Sequence, residues 1–284
     1  MTRLYVEHVT TYAYQQPVSV SYNEARMTPQ TDAHQVVLET DLQIGPSPLS
    51  LSYYRDYWGT RVHTFDLHSP HDQLSVRSSA LVEVHRTERE LAPSAGHDWE
   101  ELTGDDLYQS FSDYVKQSQL SEPGEELRQA ATDMAVGRTP REAAEAIFDW
   151  LREQMQYQPG STGVHYNAEA AFAERKGVCQ DLSHIAVGAL RSIGVPACYV
   201  SGYVHPRPDA ELGESVSGES HAWLEWWDGR WHSWDPTNHK PAGDHHILVG
   251  RGRDYSDVTP FKGILSGGGS ESGLNVKVTI TRHA

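Results

Sequence analysis

The sequence predicts an α+β protein: an antiparallel, sandwich-like β domain over residues 1–90, a helical connection over 91–136, and a mixed core over 137–284. Three observations carry this. The first ninety residues alternate with the period of two that marks a half-buried sheet. Two later segments repeat apolar residues at helical spacing, giving each one buried stripe. Short strand-like runs then follow the second of these helices. Of the 284 residues, 38% are hydrophobic, with 8 Trp, 14 Tyr and 5 Phe, enough aromatic surface to build a core and to exclude disorder throughout.

In the first region Leu38, Thr40, Leu42 and Ile44 alternate with Glu39, Asp41 and Gln43. Further on Val76, Ser78, Ala80, Val82 and Val84 point one way, away from Ser75, Arg77, Ser79, Glu83 and His85. Shorter runs at 5–14, 51–57 and 62–67 fit between turns at Gly45-Pro46, Gly59 and Ser69-Pro70. The connection is polar and acidic, with helices expected near 105–117 and 125–136 between Pro and Gly breakers. Thr139-Pro140-Arg141-Glu142 then supplies an N-cap, a proline at the first helical position and a glutamate placed to close a capping box. Ala144, Ile147, Phe148, Leu151 and Met155 form the apolar face of that helix, which should end near Tyr157. A second helix is expected from Cys179, burying Leu182, Ile185, Ala186, Ala189, Leu190 and Ile193 and stopped by Gly194 and Pro196. Strands are expected at 196–205, 220–227 and 230–235, with a last alternation through Leu274, Val276, Val278 and Ile280. Gly267-Gly268-Gly269 lacks the strand and helix that a phosphate cradle requires and reads as a turn.

Charge and composition exclude several functions. With 39 acidic against 23 basic residues the formal charge is −16, which repels a phosphate backbone, so nucleic acid is a poor partner. No apolar run approaches the ~18 residues of a membrane span, and the opening segment breaks its apolar run with charge too early for a secretory signal. A soluble, cytoplasmic protein is expected, with no membrane partner. Two cysteines are too few for a disulfide framework or a Cys-rich zinc site. Sixteen histidines invite a metal, yet no His-Glu-x-x-His helix or comparable spacing is present, so neither metal nor cofactor is expected.

Cys179 opens a helix, where the macrodipole and the unpaired backbone N–H groups favour a thiolate. The same N–H groups would donate to the oxyanion formed when the sulfur attacks a carbonyl carbon. Cys198 sits within a strand and reads as a small buried hydrophobe. A cysteine nucleophile needs a base and a group to orient that base. The segment 220–238 reads as a β-hairpin turning at Asp228-Gly229, and its register decides whether it supplies both. A strict two-residue loop would put His221 opposite Pro236 and turn Asp235 to the other face. A three-residue loop, Trp227-Asp228-Gly229, would put His221 directly opposite Asp235, with Cβ atoms about 4.5–5.5 Å apart. The three-residue form is the expectation.

Gly177-Val178-Cys179 with Asp181 and His184, then His221-Ala222-Trp223, then Asp235-Pro236-Thr237-Asn238 resemble the bacterial transglutaminase-like proteins, a branch of the papain-like cysteine enzymes. Residues 4–29 resemble the β region that precedes the core in that family. Residues 246–263, with Gly250, Arg253-Asp254-Tyr255, Asp257-Val258 and Pro260, resemble its C-terminal stretch. The resemblance implies a papain-like core with the cysteine helix packed on the sheet that carries His and Asp. It also implies Cys179 as nucleophile, His221 as base and later acid, and Asp235 as orienting carboxylate. No residue of the three motifs is missing.

Asp181 and His184 lie in the first turns of the cysteine helix and are expected to shape the site. Trp223, and Tyr166 in the turn-rich segment 159–167 beside His165, are candidates to line the cleft. The expected function is thiol-dependent acyl transfer on a peptide, isopeptide or side-chain amide of a peptide or protein substrate. Water as acceptor makes a peptidase or amidase; a primary amine makes a crosslinking transglutaminase. Hydrolysis is favoured, because water is abundant and no lysine-binding feature is readable. A non-catalytic binding module is the contrasting class, but a scaffold has no need of a cysteine at a helix start with a His and an Asp to serve it.

Overall fold

The computed structural model describes residues 1–86, 96–160, 166–207, 210–267 and 271–284. The chain opens with six strands: β1 (Thr2–Val18), β2 (Val20–Ala25), β3 (Gln35–Gly45), β4 (Ser50–Arg55), β5 (Arg61–Leu67) and β6 (His71–Val84). Helices at Asp105–Val115 and Glu125–Ala135 form the connection close to the expected bounds, and a short helix at Trp99–Leu102, not expected, precedes them. The core follows with the helix Pro140–Gln154, β7 (Gln156–Tyr157), the helix Ala168–Glu174, β8 (Lys176–Gly177) and the cysteine helix Cys179–Ser192. Five strands come next: β9 (Ala197–Val204), β10 (Ser215–Trp227), β11 (Trp231–Asp235), β12 (Lys240–Pro241) and β13 (His246–Gly252). The helical turn Tyr255–Val258, β14 (Phe261–Ser266) and β15 (Glu271–Arg282) complete the chain. The architecture is α+β with antiparallel sheets, as expected.

The expected capping box forms at Thr139: its backbone N–H donates to Glu142 Oε2 at 2.8 Å while the Glu142 N–H donates to Thr139 Oγ1 at 3.3 Å. That helix ends at Gln154 rather than Tyr157, because Gln156 and Tyr157 pair in parallel with Lys176 and Gly177. Its apolar face and that of the cysteine helix bury Ile147, Phe148, Leu151, Ile185, Ala186 and Leu190 in one cluster.

Two sheets form the N-terminal sandwich. One runs in the order β12-β11-β10-β15-β1-β6-β3, with β9 and β13 attached beside β10; the other runs β14-β2-β5-β4. Val18, Met27, Phe65, Leu67, Leu74 and Val76 fill the space between them. The two C-terminal strands cross the expected divisions of the chain: β15 pairs with β1 along most of its length, and β14 pairs with β2. Strand β10 carries both regions, since Ser215–Gly218 pair with β15 whereas Glu219–Trp226 pair with β9. A buried polar chain reinforces the junction. Tyr203 Oη donates to the Met27 carbonyl at 3.0 Å and accepts from His8 Nδ1 at 2.9 Å, which leaves His8 Nε2 to accept from Thr10 Oγ1 at 3.0 Å. Burial lowers the His8 pKa to about 4, so the ring stays neutral.

Of the Gly267-Gly268-Gly269 loop only Gly267 lies within the described residues, and its φ of +71° fits a turn. Among the described residues no helix is long and apolar enough to cross a membrane.

Candidate active site

Cys179 is the first residue of its helix, and Asp181 sets its place. The buried Asp181 carboxylate accepts the Val178 N–H at 2.8 Å, closing the first turn around the cysteine, and Ser183 Oγ donates to the Cys179 carbonyl at 2.8 Å. The thiol is partly exposed at one end of a cleft of about 480 Å³, walled by Tyr157, Tyr199, Tyr255, Pro260, Val276 and Val278 and by His221. Tyr199 and Tyr255 owe their placement to His184. Its fully buried ring packs on Tyr199 at 4.7 Å, and its Nε2 accepts the Tyr255 N–H at 3.1 Å. Burial lowers the His184 pKa to about 4, leaving a neutral ring that props the cleft wall.

The hairpin differs from its expected register. Trp227 pairs with Trp231 and Leu224 with Trp234, so the three-residue loop is 228–230, one residue later than expected, with Gly229 at φ +103°. Asp235 therefore comes level with Trp223 rather than His221. The change in pairing is two residues, and since side chains alternate with a period of two, His221 and Asp235 remain on the same face as diagonal neighbours. Their side chains span the diagonal: His221 Nε2 and Asp235 Oδ2 are 2.8 Å apart.

Asp235 is fully buried and receives five hydrogen bonds. Oδ1 accepts the backbone N–H of Thr237 at 3.0 Å and of Asn238 at 3.1 Å. Oδ2 accepts from His221, from Asn238 Nδ2 at 2.7 Å and from His246 Nε2 at 3.0 Å. Burial works against its charge, yet the donors from His221, His246 and Asn238 outweigh burial and hold the carboxyl well below the usual range. His221 shows the converse balance. Burial disfavours the charged ring, but the hydrogen bonds to Asp235 and Cys179 and their charges raise its pKa to about 9. With Nε2 committed to the carboxylate, Nδ1 is the ring nitrogen left for the sulfur. Trp223 does not line the cleft as expected: it is fully buried in the sheet's core and stacks beside His221 at 6.2 Å and 28°.

Tyr166 stands apart. Its ring packs against the helical core and its hydroxyl donates to Glu174 Oε1 at 3.2 Å, because Asn167 caps the next helix and turns the chain there. It is not among the described residues lining the cleft, although Pro159 and Gly160 from the same stretch and Tyr157 just before it are. His165 lies outside the described residues. Cys198 is buried, which pushes its thiol up to about 12.

The structure adds two residues to those read from the sequence, Asn238 and His246. Asn238 stands in the Asp-Pro-Thr-Asn motif, three positions after the carboxylate it holds. His246 carries no local signal, since it comes from β13, with β9 lying between it and β10. Gly202 of β9 leaves room for the neighbours of this cluster: a Cβ there would lie 2.0 Å from the Ile247 carbonyl oxygen and 2.7 Å from the Trp223 ring. The donor atoms of His221, Asp235 and His246 lie within 4.8 Å of one another, close enough to suggest a metal. Both imidazole Nε2 atoms are instead engaged with Asp235 Oδ2. His246 Nδ1 accepts the Gly243 N–H at 3.1 Å, so its Nε2 carries the proton and has no lone pair for a cation.

Fold and site together define a transglutaminase-like architecture in which a cysteine helix packs on the antiparallel sheet bearing His and Asp. Residues 4–83 match the profile of the bacterial transglutaminase-like N-terminal region, and residues 128–236 match the transglutaminase-like superfamily. The chain is 41% identical over 285 residues to an uncharacterized protein of Mycobacterium leprae, with both chains covered in full. It is 31% identical over 289 residues to an uncharacterized protein of Mycobacterium tuberculosis, covering 98% of this chain and 92% of that one. The chain belongs to the transglutaminase-like superfamily. In fold it is similar to the crystal structure of a provisionally assigned cysteine protease from Cytophaga hutchinsonii, with a TM-score of 0.73, 20% identity, and 98% and 91% of the two chains covered.

Proposed function

We propose that this protein is a thiol-dependent acyl-transfer enzyme that hydrolyses peptide, isopeptide or side-chain amide bonds. The observation that carries the reading is the relay from Cys179 through the raised His221 ring to the buried Asp235, opening on a cleft of about 480 Å³. His221 takes the thiol proton through Nδ1, and the resulting imidazolium is held by Asp235. The Cys179 sulfur bonds to the amide carbonyl carbon, and the backbone N–H at the helix start faces the developing oxyanion. Collapse breaks the C–N bond as His221 returns its proton to the departing amine, leaving a thioester. Water then attacks with His221 again as base, and the carboxylic acid and the free thiol are regenerated. Water is the acceptor we assign because it reaches an open cleft without a dedicated site. Both cysteines are unpaired, which accords with a reducing, cytoplasmic location; cell fractionation tests that assignment.

The test is incubation with a mixed peptide library in ¹⁸O-labelled water, with and without a fluorescent primary amine, followed by mass spectrometry. Hydrolysis enters one ¹⁸O into each new carboxylate and disappears in Cys179→Ala. Amine incorporation in preference to ¹⁸O would replace the peptidase by a transamidase. Reactivity of Cys179 towards iodoacetamide that is indifferent to His221→Ala would remove the enzymatic reading altogether.

A further inference from the structure

Two histidines address one oxygen of the candidate orienting carboxylate, and only one of them faces the thiol. His221 reaches Asp235 Oδ2 from β10 and His246 reaches it from β13, at 2.8 and 3.0 Å, with ring centroids 6.0 Å apart. The rings differ in what their other nitrogen meets. That of His221 serves Cys179, whereas His246 Nδ1 accepts a backbone N–H from Gly243, an interaction open only to an unprotonated nitrogen. His246 is 1% exposed, and Trp223 closes on it edge-to-face at 5.3 Å. The ring is thus held as the neutral Nε2–H tautomer. Burial, together with the charges of His221 and of Arg86, opposes its protonation, whereas Asp235 favours it, and the balance lowers its pKa.

We propose that His246 is a positioning residue: as a fixed neutral donor it keeps the Asp235 carboxylate aimed at His221 and limits how strongly that carboxylate draws a proton onto His221. The inference rests on the Cys179–His221–Asp235 reading given above. A hydrogen bond donated to a carboxylate disperses its charge and makes it a weaker partner for a neighbouring cation. The His246 N–H points its positive end at Oδ2, the same oxygen that holds His221. Asn238 donates to the same oxygen, but from the chain segment that carries Asp235 itself. His246 comes from a separate strand and fixes the carboxylate against the sheet. Its strand is secured in turn by Gln35, whose side chain accepts the Leu248 N–H at 2.8 Å and donates to the Leu248 carbonyl at 2.9 Å. The groups that face His221 are Asp235 from β11, Cys179 from the cysteine helix and His246 from β13. Those that face His246 are Asp235, His221 and the charge of Arg86 beyond β6.

The experiment is a histidine ¹⁵N NMR titration of the full chain, run beside the pH dependence of iodoacetamide alkylation at Cys179, on wild type, His246→Leu, His246→Gln and His221→Ala. In wild type, His246 shows the Nε2–H tautomer throughout the range in which His221 titrates. His246→Leu moves the His221 midpoint upward by about half to one pH unit. His246→Gln offers both an acceptor for Gly243 and a donor for Asp235, and returns the midpoint towards wild type. A merely structural residue would change the folded fraction and leave the midpoint in place. An unmoved midpoint in His246→Leu, or a wild-type His246 found protonated or as the Nδ1–H tautomer, overturns the proposal alone. Should His246→Leu not fold, the wild-type tautomer and the His246→Gln midpoint decide. Alkylation of wild type indifferent to His221→Ala overturns the underlying reading and the proposal with it, and is observed in proteins whose His246 is intact.

Discussion

Asp235 stands diagonally across the β10–β11 hairpin from His221, and its Oδ2 still receives the His221 ring nitrogen at 2.8 Å. From that position the carboxylate engages only one nitrogen of the His221 ring, which leaves the other for the sulfur. The pair is buried, and the five donors around Asp235 hold it fully ionised opposite the ring. The consequences are measurable.

Asp235→Asn removes the anion that sustains the raised His221 pKa and places an amide N–H where the ring needs an acceptor. The His221 midpoint should fall well below about 9, because burial is then opposed by Cys179 alone. Alkylation of Cys179 at neutral pH should slow by at least ~10-fold. A rate equal to wild type would show that Asp235 does not act through His221.

Stability should depend on pH in opposite senses for the two partners. His221 is raised in the folded state, so its contribution is fully present below about 6.5 and is lost as pH rises through about 9. Asp235 is depressed, so its contribution is present above the ordinary carboxylate range and is lost only in strong acid. Urea denaturation should therefore show a decline of ~1–3 kcal/mol between pH 6.5 and 9.5 that vanishes in His221→Ala. A flat profile in wild type would contradict the ion pair.

Arg191 closes the end of the cysteine helix with a fully engaged guanidinium. It donates to the carbonyls of Tyr114, Ala197 and Arg253 at 2.8–3.1 Å and to Ser121 Oγ at 3.0 Å. Arg191→Met strands these acceptors in the interior and should cost about 3–5 kcal/mol in chemical denaturation. Arg191→Lys should recover only part of this, since an ammonium lacks the planar fork that spans separate carbonyls. Full recovery by lysine would reduce Arg191 to a point charge.

Gln35 ties the N-terminal sandwich to β13 through both backbone groups of Leu248. Gln35→Leu leaves the Leu248 N–H without its partner and its carbonyl with the Gln30 N–H at 3.4 Å, and should lower stability by about 1–3 kcal/mol. The same variant should loosen His246, seen as faster amide hydrogen exchange along β13 than in the rest of the sheet. Uniform exchange across the sheet would mean that β13 is held by its pairing with β9 alone.

What the sequence determined by itself is what depends on neighbours along the chain. Alternation along Leu74–Val84, the capping box at Thr139 and Glu142, and the apolar stripe behind Cys179 each obey a local period, and each forms as read. Cys179, His221 and Asp235 were legible because a helix start and a hairpin are local objects. Even there the loop position was off by one residue, and only the period of two kept the pair on one face. Strands β13 and β14 were not read as strands. His246-Ile-Leu-Val is a continuous run without alternation, because both of its faces are covered, and β14 is almost wholly exposed along its length. Tertiary structure alone decided that β15 returns to pair with β1, so that Val276 and Val278 come to wall a cleft begun a hundred residues earlier at Cys179. It alone brought His246 from β13 across β9 to the carboxylate of Asp235. No spacing encodes that meeting: it depends on β9 lying between β13 and β10, an order that exists only once the sheet has assembled.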